Sequence, residues 1–159
     1  MRYQGLLYRA LNPVWAKEPL SGEGARRFGG RFNKKGRPAL YTALSPETAI
    51  KEANQVGHLQ PTTLVSYHAD VAQVFDATDG ALLAAQGLTP ESLGADDWRD
   101  RMRAGIAPTQ AFAEHLISEG YQGLLVQSYS RGAAPKDRNL VLWKWSDALT
   151  LIDDENRLG

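Results

Sequence analysis

Cysteine is absent from the 159 residues of this chain. Its absence excludes a disulfide-stapled scaffold, an iron–sulfur site, a cysteine nucleophile and a thiolate zinc site. Long apolar runs are absent too, since the longest have four or five residues and a membrane-spanning helix needs about 20. The first nine residues contain no apolar stretch of the length that a secretory signal requires. We therefore expect a cytoplasmic protein with no membrane-spanning segment.

A net charge is also lacking, because 18 Lys and Arg balance 18 Asp and Glu. This neutrality argues against a strongly basic nucleic-acid-binding protein. It hides an asymmetry, however. Residues 1–60 contain ten Lys and Arg against four acids, a charge of +6, so residues 61–159 carry −6. The basic part of the chain is where we expect an anionic ligand to bind.

Strand patterns dominate the chain, and helices interrupt them without a regular βαβ alternation. The predicted strands are residues 5–11, 39–43, 63–69, 123–128 and 139–143, with an edge strand at 149–152. The predicted helices begin at Ser45-Pro46-Glu47 and at Pro108, and they end at Gly57 and Gly120. Residues 12–37 are predicted as a loop, and residues 76–107 as short helices and loops. The pattern predicts one α+β domain over residues 1–159, with a mixed or mostly antiparallel sheet.

Residues 26–37 contain six cations and no acid. Gly29 and Gly30 allow a backbone to approach a ligand closely and to expose its N–H groups, and arginine forks match phosphate oxygens. The segment therefore predicts a phosphate or pyrophosphate site, with a solvated basic loop as the alternative. Phe28 and Phe32 alternate with the cations as base-stacking side chains do, which leaves nucleic-acid binding open.

Glu52 falls at the border of an apolar stripe on the helix that begins at Pro46. The stripe consists of Ala49, Ile50, Ala53 and Val56. A carboxylate placed there is partly removed from water and needs a partner, although a surface Glu paired with a lysine is the commoner arrangement. Tyr41, on the preceding strand, is expected to face the same cleft as Glu52. The nearby His58 leaves an acid–base pair with Glu52 open.

Ser128 ends an apolar strand, where a polar side chain can reach into a site; a simple transition from strand to loop is the alternative. The three histidines show no metal-ligand spacing, so we expect no metal.

Six pieces of the sequence occur in a particular order. They are Tyr8-Arg9, Arg31 in Gly-Gly-Arg-Phe-Asn, Leu40-Tyr41, Glu52 after Ser45-Pro46-Glu47, Ser128 after an apolar strand, and Asn139-Leu-Val-Leu-Trp. Together they resemble the RES-domain toxins, a family named after an Arg, a Glu and a Ser. The resemblance covers about residues 5–145.

This resemblance implies a fold related to the diphtheria-toxin-like ADP-ribosyltransferases, with NAD⁺ as the substrate and no metal. It implies the toxin of a bacterial type II toxin–antitoxin pair, whose partner is an Xre-type antitoxin with a helix-turn-helix part. Family members are described either as degrading NAD⁺, by hydrolysis or phosphorolysis, or as ADP-ribosylating a protein acceptor, and the sequence pattern does not separate these outcomes.

The resemblance also implies roles for individual residues. The catalytic residues would be Glu52, Arg31 and Tyr41, and the NAD⁺-binding residues would be Arg9, Arg31, Tyr41 and Ser128. Two alternatives stay open at this point: an RNA- or nucleotide-binding module that uses the segment 26–37, and an RNase-type toxin that uses His58 and Glu52.

Overall fold

The structure is a computed structural model that describes residues 1–13, 17–53, 62–130 and 132–152. The strands are β1 (Tyr3–Leu11), β2 (Leu40–Ala43), β3 (Thr63–Val71), β4 (Val74–Asp76), β5 (Gly123–Gln127), β6 (Arg138–Leu142) and β7 (Leu149–Leu151). The helices are α1 (Glu23–Phe28), α2 (Pro46–Ala53), α3 (Gly80–Ala85), α4 (Pro90–Leu93), α5 (Trp98–Arg103) and α6 (Pro108–Ser118). Within these ranges, no helix has both the length and the apolarity needed to cross a membrane.

The strands form one sheet in the order β4-β5-β6-β2-β1-β3-β7. Neighbouring strands are antiparallel except β4 and β5, which are parallel. The predicted α+β class with a mixed, mostly antiparallel sheet is therefore confirmed. Strand β2 lies at the centre, between β6 and β1, so the helix that follows β2 starts from the middle of the sheet.

Apolar clusters cover both faces of the sheet. Successive side chains of a strand point to opposite faces, and Leu140 and Leu142 belong to one buried cluster while Val141 and Trp143 belong to the other. Phe112 of α6 packs in the second cluster. Strands buried on both faces have continuous apolar sequences rather than alternating ones, which explains why β5 and β6 stand out so clearly in the sequence.

Most predicted elements are present, with ends that differ by one or two residues. The predicted cap of α2 is confirmed, since Ser45 Oγ accepts a hydrogen bond from the Thr48 N–H at 3.1 Å. Ile50, predicted on the buried stripe of α2, is instead 44 % exposed. The predicted helix end at Gly57, together with Val56 and His58, lies outside the described residues.

Helix α1 contradicts the prediction that residues 12–37 form only a loop. Glu23 in its first turn pairs with Arg26 at 2.5 Å and with Arg27 at 3.2 Å. Such pairs across one turn stabilise a helix, and an acid at the start with bases at the end suits the helix dipole. The segment has little apolar periodicity, so the sequence pattern alone does not predict this helix.

A buried carboxylate fastens α2 to the segment between β5 and β6. Asp137 accepts hydrogen bonds from the Ala134 N–H at 2.7 Å, Lys51 Nζ at 2.9 Å and Thr48 Oγ1 at 2.7 Å. Its main-chain carbonyl accepts from the Ser128 N–H at 2.8 Å. These donors, the Ala134 N–H foremost, hold the pKa of the Asp137 carboxyl well below its ordinary value.

We expect Asp137→Asn to destabilise the protein at neutral pH, because Lys51 loses its partner. A depressed pKa in the folded state means that the stabilisation is complete above the unfolded-state pKa of about 4 and disappears as the pH falls through the lower folded value. Urea unfolding of the wild type and the variant between pH 7 and pH 3 should therefore show a difference in unfolding free energy that shrinks below about pH 4.

The matched control is Asp70→Asn, which removes the exposed pair of Asp70 with Arg2. Exposed pairs contribute little to stability, so this variant should lose less stability than Asp137→Asn at pH 7. Equal losses in the two variants at neutral pH would contradict the assignment of Asp137.

Candidate active site

Glu52 lies in the last turn of α2 that the structure describes, and two side chains from the sheet donate to its carboxylate. Oε1 accepts hydrogen bonds from Ser128 Oγ and from Asn139 Nδ2, the latter at 2.7 Å. Ser128 directly follows β5 and Asn139 lies on β6, so neighbouring strands deliver both donors. Ser128 Oγ in turn accepts from the Ser130 N–H at 3.3 Å. The carboxylate is thereby held in one orientation against the sheet.

Two cavities meet at this carboxylate. The larger has a volume of about 720 Å³ and includes Arg31, Trp98, Arg99 and Tyr129 in its wall. The smaller has a volume of about 350 Å³ and includes Tyr8, Arg9 and Ala49. Tyr41, Glu52 and Asn139 line both. Volumes of roughly 300–1,000 Å³ are typical of small-molecule sites, so Glu52 stands where a ligand could extend into two compartments.

Arg31 is half-buried in the wall of the larger cavity. Its Nη1 donates to the carbonyl oxygens of Leu93 at 3.0 Å and Ala95 at 2.7 Å. The guanidinium carbon lies 5.9 Å from the ring centre of Trp98 and 5.3 Å from that of Tyr129. Burial is the main cause that lowers the pKa of Arg31 from its ordinary value, yet an arginine stays charged at neutral pH. The site therefore contains a fixed cation.

Buried amide side chains fix the main chain around Arg31. Gln110 Nε2 donates hydrogen bonds to the main-chain carbonyls of Gly30 at 2.9 Å and Asn33 at 3.1 Å. Gln110 and Asn33 are both fully buried. A β carbon on Gly30 would lie 2.5 Å from the hydroxyl oxygen of Tyr41, a distance that real side chains do not tolerate. Glycine at this position is thus a packing requirement.

The prediction that Gly29 and Gly30 offer free N–H groups to an anion is wrong. The Gly29 N–H donates to the Ala25 carbonyl at 2.8 Å, and the Gly30 N–H donates to the Asn33 carbonyl at 2.9 Å. Gly29 ends α1 with a φ of 73°, a conformation that glycine adopts readily. The two glycines end a helix and permit close packing.

The basic segment 26–37 contributes less positive charge to the site than its sequence predicts. Arg26 and Arg27 pair with Glu23, and Lys34 and Arg37 pair with Glu114 at 3.5 and 2.9 Å. Within this fully described segment, Arg31 is the one cation that lines either cavity. The alternative of a solvated basic loop therefore applies to most of the segment. Phe32 is 3 % exposed, so its prediction as a base-stacking surface is wrong.

Tyr41 and Arg9 occupy different positions around Glu52. The Tyr41 hydroxyl donates to Asn33 Oδ1 at 2.6 Å and accepts from the Phe32 N–H at 3.0 Å, and burial raises the pKa of this hydroxyl. Because the hydroxyl is engaged in holding the loop, the ring is the part of Tyr41 that a ligand would meet. Arg9 Nη1 donates to the Pro19 carbonyl at 3.1 Å, and Arg9 lines the smaller cavity, away from Arg31.

Ser128 is buried. It lines neither of the two cavities formed by the described residues. Its hydroxyl donates a hydrogen bond to the Glu52 carboxylate, so Ser128 helps to position that carboxylate. His58, considered as a partner of Glu52, lies outside the described residues. Among those that are described, no group of three His, Asp or Glu lies close enough to share a metal ion.

Asn139 is a further residue of the site, which the sequence pattern does not single out although it begins the Asn139-Leu-Val-Leu-Trp piece. Asn139 Oδ1 is buried and has no hydrogen-bond partner among the described residues, and the residue lines both cavities. The available signal was a polar amide in an otherwise apolar strand. Trp98, Arg99 and Tyr129 were also missed, because they come from segments without a recognised motif.

Comparison with known proteins agrees with the predicted resemblance. The family model described as "RES domain" matches residues 6–156. A protein of Mycobacterium tuberculosis (strain ATCC 25618 / H37Rv), named NAD(+) phosphorylase MbcT, is 31% identical over 132 residues, which are 75% of this chain and 71% of that protein. A protein of Yersinia enterocolitica, named Toxin Res, is 31% identical over 140 residues, which are 86% of this chain and 82% of that protein.

A solved structure has a similar fold. In the crystal structure of the M. tuberculosis MbcT-MbcA toxin-antitoxin complex, one chain matches with a TM-score of 0.70 and 26% identity. The match covers 96% of this chain and 84% of that chain. The resemblance predicted from six short pieces of sequence is therefore confirmed, and the chain belongs to the RES domain family.

Proposed function

We propose that this protein is the toxin of a toxin–antitoxin pair and that it consumes NAD⁺ by breaking the bond between nicotinamide and ribose. The observation on which the proposal rests is the Glu52 carboxylate, held by Ser128 and Asn139 where two cavities meet. The similarity to a protein named NAD(+) phosphorylase supports the choice of substrate.

Glu52 suits the charge that develops in this reaction. As the glycosidic C–N bond breaks, its electron pair stays with the nicotinamide nitrogen and positive charge builds up on the ribose, as in glycoside hydrolysis. A preoriented carboxylate stabilises such a charge without having to reorganise during the reaction. Nicotinamide leaves as a neutral molecule, so no general acid has to protonate it. One carboxylate is therefore sufficient.

Other groups around Glu52 fit the remaining parts of NAD⁺. The half-buried guanidinium of Arg31 suits the pyrophosphate, because arginine forks pair with phosphate oxygens. Asn139 Oδ1 can accept a hydrogen bond from a ribose hydroxyl, since among the described residues it has no donor. The ring of Tyr41 offers a flat surface to the nicotinamide. Arg9 supplies a second cation, in the wall of the smaller cavity.

We infer that inorganic phosphate is the acceptor of the ADP-ribosyl group, as the name of the relative suggests. In that step a phosphate oxygen forms a bond to the ribose carbon that nicotinamide leaves. The products are nicotinamide and a phosphorylated ADP-ribose. Transfer to a protein acceptor and hydrolysis by water are the other two outcomes that the same carboxylate would permit.

Glu52→Gln keeps the shape of the side chain and removes its charge. We expect NAD⁺ consumption by the purified protein to fall by about a hundredfold or more, the usual loss when a group that stabilises transition-state charge is removed. Glu47→Gln, an exposed site in the first turn of the same helix, is the matched control and should retain the wild-type rate. A rate for Glu52→Gln near that of the control would refute the role of Glu52.

The acceptor can be identified from the product. NAD⁺ labelled in its adenosine part should yield phosphorylated ADP-ribose when phosphate is present, and the rate should rise with the phosphate concentration. Mass spectrometry separates this product from free ADP-ribose and from labelled protein after incubation with cell lysate. Free ADP-ribose at a rate independent of phosphate, or label on protein, would exclude phosphorolysis.

We also propose that a protein antitoxin binds this chain, as MbcA binds MbcT in the similar crystal structure. The helix-turn-helix Xre type remains a prediction from the family resemblance. Co-expression with the cognate antitoxin should relieve growth inhibition, and the purified complex should consume NAD⁺ more slowly than the free toxin. An unchanged rate in the complex would show that the partner does not act at this site.

The nucleic-acid alternatives keep one feature among the described residues, because Phe28 is 71 % exposed, but the surrounding cations and Phe32 do not favour them. Four cations of the segment 26–37 are paired with carboxylates, and Phe32 belongs to the core. The acid–base pair of an RNase would require His58, which lies outside the described residues.

A further inference from the structure

Arg99 differs from the other two arginines of α5. Arg101 pairs with Asp97 at 2.9 Å and Arg103 pairs with Asp100 at 3.0 Å, both within the helix segment itself. Arg99 forms no ion pair with a carboxylate of the described residues, and it lines the larger cavity together with Arg31. Neither of the two arginines in this cavity forms an ion pair with a carboxylate in the described part of the chain.

Both guanidinium groups lie against the indole of Trp98. Trp98 is 9 % exposed, and its ring centre lies 4.5 Å from the guanidinium carbon of Arg99 and 5.9 Å from that of Arg31. Contacts of this kind are attractive. Burial is the main cause that lowers the pKa of Arg31; the charge of Asp96 raises that pKa, and the charge of Arg99 lowers it. An anion bound by both arginines would offset the repulsion between their charges.

Arg31 has hydrogen-bonding capacity left for such an anion. Both of its hydrogen bonds to carbonyls come from Nη1, and its Nε and Nη2 have no hydrogen-bond partner among the described residues. A guanidinium anchored at one nitrogen keeps its orientation while its other N–H groups stay available. This is the geometry in which arginine binds phosphate oxygens at two points.

We propose that Arg99 and Arg31, which both contact Trp98, form a two-arginine subsite for a phosphate group in the larger cavity. The proposal deepens the proposed function, on which it rests for the nature of the ligand. The phosphate group comes either from the pyrophosphate of NAD⁺ or from the inorganic phosphate that accepts ADP-ribose. The N–H groups of Gly29 and Gly30 cannot take this role because they are engaged in main-chain hydrogen bonds. The paired cations of residues 26–37 line neither cavity.

Asp96 lies in the same cavity wall and acts in the opposite direction. Its carboxylate attracts Arg31, and it is exposed at the cavity rim. An anionic ligand bound by the two arginines would be repelled by this charge. The subsite therefore requires that Asp96→Asn strengthen phosphate binding, the reverse of the effect of removing Arg99.

The test is calorimetric titration of the purified protein with ADP-ribose, with adenosine and with inorganic phosphate, none of which the enzyme turns over alone. Arg99→Ala should weaken binding of one phosphate-bearing ligand by about tenfold, the loss expected for one charge-assisted contact, and should leave adenosine binding unchanged. Arg103→Ala is the matched control on the same helix and should bind all three ligands as the wild type does.

The affected ligand identifies the source of the phosphate group. Weaker binding of ADP-ribose assigns the subsite to the pyrophosphate, and weaker binding of inorganic phosphate alone assigns it to the acceptor. Binding equal to that of Arg103→Ala for both ligands would overturn the proposal, and so would an equal loss of adenosine binding, which would indicate a distorted cavity. Thermal unfolding of each variant checks that the fold is retained.

Failure of the subsite and failure of the proposed chemistry are distinguishable. Binding is measured without turnover, so a tenfold effect of Arg99→Ala stands even if Glu52→Gln remains active. If Glu52→Gln is inactive but Arg99→Ala binds phosphate-bearing ligands normally, the chemistry stands and the subsite is wrong. Asp96→Asn gives an independent check, because its tighter binding would not follow from a purely structural role of the cavity wall.

Discussion

A buried carboxylate, that of Asp137, joins helix α2 to the chain between β5 and β6. Burying an ionised group is costly unless it is paired and hydrogen-bonded, and here two donors come from α2. Those donors, Thr48 and Lys51, are three residues apart and so share one face of the helix. The residue after Lys51 is Glu52, which the rotation of the helix turns to a different direction. Fastening one face of α2 thus sets where Glu52 meets the sheet.

The opposite charges of the two parts of the chain acquire a structural explanation. Four ion pairs among the described residues join cations of the basic part to acids of the other part: Arg2 with Asp70, Lys34 and Arg37 with Glu114, and Lys51 with Asp137. Much of the +6 of residues 1–60 is therefore neutralised inside the folded chain. The positive charge that serves the site is smaller than the sequence count indicates, and part of it comes from Arg99 in the acidic part.

The strands and the two longer helices were predictable because burial on both faces leaves continuous apolar runs, and because Ser45-Pro46 marks a helix start. That Glu52 contacts the sheet was predictable from its place at the edge of an apolar stripe. The hydrogen-bond partners of Glu52 were less predictable, because Ser128 and Asn139 come together only through the register of β5 against β6. The pairing of Lys34 and Arg37 with a carboxylate was not predictable. Their partner Glu114 lies far away in sequence and reaches them only in the folded chain.

Two polar groups of the larger cavity have bonding capacity that the described residues leave unused. One is the acceptor Asn139 Oδ1, and the other is the set of N–H groups on Arg31 beyond Nη1. An unsatisfied buried polar atom costs stability, and a cation held by carbonyls instead of a carboxylate keeps its full charge. Asn139 is bound to Glu52 through its other amide atom, and Arg31 lines the same cavity as these two residues. A ligand that combines an anionic group with a hydroxyl would satisfy both groups within the cavity that Glu52 lines.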